Sequence, residues 1–103
     1  MAFIIKANPT IEASITITGQ GRTQKLNVAF RHKTKDEYDE LMAQLRDGKI
    51  ATAELLLALV ERWDADMPLE HASIQALRQH QPGADLAIVQ AYNQALQVEL
   101  EKN

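Results

Sequence analysis

The chain contains no cysteine. That excludes disulfides, thiolate metal sites and cysteine nucleophiles together. Aromatic residues are scarce at 5%, so a core must be assembled mainly from Leu, Ile, Val and Ala, which suits helices packed on a small sheet. Long apolar runs are also missing. The opening Met1-Ala2-Phe3-Ile4-Ile5-Lys6 is far too short for a signal peptide or a membrane span, and charges interrupt every later apolar stretch. The chain is therefore expected to be soluble and intracellular. A net charge of −3 supplies no clustered cationic footprint for nucleic acid.

What remains is ordinary globular material. A chain of 103 residues, 46% hydrophobic and 24% charged, reads as one domain over 1–103 that can bury a core without covalent staples. Its charge is uneven: Lys6, Arg22, Lys25, Arg31, Lys33 and Lys35 face only Glu12 in the first third, while acids dominate from Asp36 onward. A solvated hairpin face accounts for this; partner docking is the competing reading.

Periodicity locates the elements. Ile11, Ala13, Ile15 and Ile17 alternate with polar residues from Ile11 to Thr18, the two-residue period of a half-buried strand. Gly19-Gln20-Gly21-Arg22 reads as a turn, and Thr23–Arg31 alternates again through Leu26, Val28 and Phe30. Phe3–Lys6 is a candidate third strand, separated from the hairpin by Pro9. Thr34 and Glu37 have capping-box spacing and open a helix through Tyr38, Leu41, Met42 and Leu45 to Gly48. A second helix is expected over Thr52–Trp63, capped by Thr52, with Leu56, Leu59, Val60 and Trp63 in one stripe widened by Leu55 and Leu57. It places Trp63 at a helical corner before the acidic loop Asp64–Pro68. A third helix spans roughly Glu70–Gln79, stopped by Pro82-Gly83. The last runs from about Ala84 to the C-terminus, with Ile88, Val89, Tyr92, Leu96 and Leu100 on one side. The fold class is α+β: an N-terminal antiparallel β-hairpin, with the candidate third strand, packed on about four α-helices.

No constellation for catalysis or metal binding emerges. His32, His71 and His80 lack ligand partners at helical spacing. Asp36, Glu37, Asp39 and Glu40 suit the positive end of a helix, and Asp64 with Asp66 falls short of a calcium ligand set. Ser14 and Ser73 have no nucleophile context, and Gly19-Gln20-Gly21 lacks the lysine and following helix of a phosphate loop. No enzyme activity and no cofactor is expected.

In order and spacing, the chain resembles the bacteriophage and prophage tail assembly chaperones. The residues carrying the resemblance are the glycine-containing hairpin, Phe30-Arg31-His32-Lys33-Thr34-Lys35-Asp36-Glu37, and Val60-Glu61-Arg62-Trp63-Asp64. Leu69, Leu77, Pro82-Gly83 and the segment Ala87–Leu96 complete the set, which runs from roughly Pro9 to Leu96. The loop after Trp63 departs from the pattern in having no glycine. The resemblance implies an interaction protein of the host bacterial cytoplasm that binds the helical tape measure protein, keeps it soluble and helps recruit tail tube subunits. It also implies absence from the mature virion. Many such phages make a longer frameshifted product, and a chain ending at Asn103 reads as the short form. Two other functions compete: a structural tail component, and a small nucleic-acid-binding regulator using the basic hairpin.

The resemblance transfers no catalytic residues, so contact residues follow from physics. A helical client needs apolar surface beyond the core. Leu96, Val98 and Leu100 carry more apolar surface than an exposed tail requires, which makes them the candidate partner contacts; packing within the fold or in a homo-oligomer is the alternative. Trp63, Tyr92 and Phe30 read as structural anchors.

Overall fold

In the computed structural model, residues 2–96 are described. The hairpin forms from β1 (Thr10–Gly19) and β2 (Arg22–Arg31), paired antiparallel with Gly19 opposite Arg22 and Thr10 opposite Arg31. Gln20 and Gly21 connect them, both at positive φ (57° and 73°). That is the primed two-residue turn whose twist matches the strands it joins. The expected face of Ile11, Ala13, Ile15 and Ile17 packs on the core beside Leu26, Val28 and Phe30.

Helix α1 (Lys35–Arg46) starts on the expected capping box. Glu37 N–H donates to Thr34 Oγ1 at 3.2 Å, and Thr34 N–H donates to Glu37 Oε1 at 2.9 Å. Donation from Thr34 N–H foremost, with the Thr34 side chain beside it, favours the carboxylate and holds the Glu37 pKa below its ordinary value. The helix stops where Gly48 takes a left-handed conformation, φ 75°. No α1 residue is fully buried, so α1 is a buttress. The central helix is α2 (Thr52–Leu59), with Ala53, Leu55, Leu56 and Leu59 fully buried. Thr52 does not cap it. Ala51 occupies the cap position, and the stabilising contact comes from Glu54, whose Oε2 accepts from Ala51 N–H at 2.8 Å.

The largest departure from the periodicity lies here. The helix expected over Thr52–Trp63 ends at Leu59, and Val60–Trp63 forms a strand, β3. It pairs antiparallel with β2, with Phe30 opposite Val60, Ala29 opposite Arg62 and Val28 opposite Trp63, across a bulge at Ala29/Phe30. Val60-Glu61-Arg62-Trp63 fits both a helical stripe and a half-buried strand. The open edge of β2 decides between them, because it supplies hydrogen bonds that a further helical turn would leave unused. The third strand is therefore β3, in a sheet ordered β1-β2-β3. Phe3–Lys6, the expected candidate, belongs to no strand.

Helices α3 (His71–His80) and α4 (Ala84–Leu96) follow, joined through Pro82 and Gly83, with Gly83 at φ 95°. The helices lie on one side of the sheet, against Ile15, Leu26, Val28 and Phe30, and one apolar cluster unites them with Leu55, Leu56, Leu59, Ile74, Ile88 and Tyr92. The opposite sheet face is polar. There the register aligns Glu12, Ala29 and Arg62 across three strands, and Arg62 donates to Glu12 at 2.6 Å. This ion pair arches over the small Ala29, which is buried although it faces away from the core. Both of its charged groups are largely exposed, so it adds little stability.

Candidate interaction surface

Tyr92 and Phe30 are fully buried. The Tyr92 ring meets Phe30 edge-on, centroids 5.1 Å apart, and stacks on Tyr38 at 5.5 Å. Its hydroxyl accepts from Lys33 N–H and donates to Arg31 C=O, both at 3.0 Å. Burial raises the Tyr92 pKa, so the donor proton is retained. One side chain of α4 thereby clamps the joint where β2 gives way to α1. Tyr38 donates its own hydroxyl proton to Asn93, a second tie between α1 and α4.

Trp63 is placed differently. It ends the edge strand β3, half-buried, with its indole Nε1 donating to Met67 C=O at 2.9 Å. That bond folds the loop 64–68 back over the ring. Beneath the loop lies a recess of about 210 Å³ whose apolar lining is Trp63, Ala65, Met67, Ala76 and Leu77, completed by the polar Asp66, Ser73, His80 and Gln81. Met67 is 44% exposed at its mouth. The Ser73 hydroxyl is buried beside it without a hydrogen-bond partner among the described residues. The recess is smaller than the roughly 300–1,000 Å³ of ordinary small-molecule pockets. Its size suits one or two side chains of a protein partner.

Sequence reasoning missed this surface because strand, loop and helix each supply only part of it. The one available signal was Met67, a large apolar side chain in a short acidic loop. Of the expected contact residues, Leu96 lies at the end of α4, partly buried and packed against the core cluster. Val98 and Leu100 lie outside the described residues. No group of three or more His, Cys, Asp or Glu among the described residues could hold a metal ion. None of the described helices is long and apolar enough to cross a membrane.

A sequence model of the family described as phage tail assembly chaperone matches residues 1–103. The chain belongs to that family. No curated protein and no solved structure matches it. Membership implies a non-enzymatic role in tail assembly, carried out through protein partners.

The tail assembly chaperone secures its acidic loop by a specific contact. Asp64 Oδ1 accepts from Asn27 N–H at 2.9 Å, Oδ2 accepts from Asn27 Nδ2 at 2.7 Å, and Asp64 N–H donates to Asn27 C=O at 3.1 Å. The two bonds to the carboxylate, that from Asn27 N–H foremost and then that from Asn27 Nδ2, hold the Asp64 pKa below its ordinary 3.8. A depressed carboxylate contributes fully above the unfolded value and loses that contribution as the pH falls through the folded one. Followed by NMR on acidification, the Asn27 amide resonances are therefore expected to titrate with a midpoint below 3.8. Asp64→Asn should abolish that step. A midpoint at or above the ordinary value would show that the loop is not held this way.

Proposed function

We propose that this tail assembly chaperone binds the tape measure protein and keeps it soluble while the tail tube assembles. In this reading the Trp63 recess receives apolar anchors from an amphipathic client helix. Support comes from the recess itself: an apolar cleft with an exposed, conformationally adaptable methionine at its mouth. Asp66 lines it and favours basic residues flanking the client's apolar face. Leu96 at the end of α4 extends the contact, together with Val98 and Leu100 from the sequence that follows, and tail tube protein is the second partner. The chain acts in the host bacterial cytoplasm and leaves before the particle is complete. Mass spectrometry of purified tails distinguishes this role from that of a retained structural component.

Co-expression with tape measure protein tests the reading. The wild-type chain is expected to raise the soluble fraction of the client. Met67→Asp should weaken binding about tenfold, or about 1.4 kcal/mol, while the circular dichroism of the chaperone stays unchanged. Leu96→Asp, judged the same way, measures the share of the α4 end. No change in client solubility with wild-type chaperone present would sink the proposal.

A further inference from the structure

Two features of the fold remain unused by the client-binding reading, and each complements the other. The first is the edge of the sheet. Proteins usually blunt an exposed edge strand with lysine, proline, a bulge or shortness. The edge strand β3 has four residues, two adjacent charges and a bulge in its pairing. At the opposite edge, β1 has ten residues, a regular register, no lysine and no proline, and its single charge is engaged by Arg62. Pro9 C=O accepts from His32 N–H. In an antiparallel register this makes odd-numbered β1 residues bond to β2 and points the N–H and C=O of Glu12, Ser14, Thr16 and Thr18 outward. Beside that edge, a groove of about 450 Å³ runs between Thr16–Gln20 and the segment Gln81–Ala87. No charged side chain lines it, and its wall on the α4 side is made of the small residues Ala84 and Ala87, with Gly83 just before the helix.

The second feature is the N-terminal segment. Phe3, Ile4 and Ile5 are 89%, 81% and 89% exposed, consecutive, uncharged and of high strand propensity. Such a run in water is a strand without a sheet.

We infer that Phe3–Lys6 of one copy adds as a short strand to the β1 edge of a second copy, its apolar side chains filling the neutral groove between β1 and α4. The segment cannot serve its own groove. Even a tight two-residue fold-back at Asn8-Pro9 would set Lys6 opposite Ile11 and Phe3 opposite Ser14, short of the groove that begins at Thr16. A second copy is not bound by that limit. Main-chain hydrogen bonds to the outward groups of Thr16 and Thr18 supply the pairing, and the groove supplies selectivity for uncharged side chains. The inference does not depend on which client the chaperone binds.

Sedimentation velocity on the full chain, with any tag at the C-terminus, tests it. Wild type is expected to self-associate with rising concentration. Two variants should each weaken this at least about tenfold. Phe3→Asp with Ile5→Asp disables the donated strand. Thr16→Pro removes an outward N–H and costs no bond to β2, and circular dichroism checks that its hairpin persists. Mixing the variants should restore a heterodimer, since one retains an acceptor edge and the other a donor strand. A monomeric wild type, association undiminished in the Phe3/Ile5 variant, or a mixture that stays monomeric would each overturn the inference. If Thr16→Pro fails to fold, Thr16 and Thr18 amide exchange in wild type substitutes for it, with protection rising on association expected and unchanged protection refuting the contact.

Discussion

Tyr92→Ala is expected to unfold the chaperone or leave it barely stable at 37 °C. Removing a fully buried aromatic ring costs about 3–5 kcal/mol through lost burial and the cavity left behind. Here the ring also carries two hydrogen bonds to the β2–α1 joint and contacts with Phe30 and Tyr38. A domain of this size holds roughly 5–15 kcal/mol in all, so a loss of this order consumes much of it. Tyr92→Phe separates the two contributions. It keeps the ring and its packing but strands Lys33 N–H and Arg31 C=O, which should cost about 1–3 kcal/mol. Denaturant unfolding, with equal slopes for wild type and variant, gives both numbers. A Tyr92→Phe variant as stable as wild type would show that the hydroxyl clamp contributes nothing net.

The second large effect is expected at Trp63, and it divides between stability and function. Trp63→Ala removes a half-buried ring, so roughly half the full-burial cost applies, about 2 kcal/mol. It also removes one wall of the recess, so client binding should fall more steeply than stability. Trp63→Phe keeps an aromatic wall but loses the donor to Met67 C=O. About 0.5–1.5 kcal/mol should be lost, and hydrogen exchange across residues 64–68 should accelerate as the loop is released. If exchange in that loop is unchanged, the indole bond does not hold it. If Trp63→Ala binds client as well as wild type, the recess is not the contact surface.

Local chemistry made part of this structure readable from residue order. The hairpin follows from two runs of period-two alternation around a glycine-containing turn, and α1 begins where Thr34 and Glu37 bond each other's backbone. The turn at Pro82-Gly83 likewise needs only its own residues. Phe30 and Tyr92 lie in apolar stripes that a short window reveals. Family membership, too, was legible from the order and spacing of these local signals.

Residue order alone could not decide the segment Val60–Trp63. Its apolar residues satisfy the helical stripe of α2, and no glycine or proline marks the change at Leu59. It became a strand because β2, about thirty residues earlier in sequence, presents an unpaired edge beside it. That non-local pairing moved Trp63 from a helical corner to the sheet edge and brought it over α3, creating the recess. The candidate contact surface thus depends on a choice no local window contains. What the sequence determined by itself were elements whose hydrogen bonds close within a few residues. The tertiary structure decided those whose partners arrive only when distant parts of the chain meet.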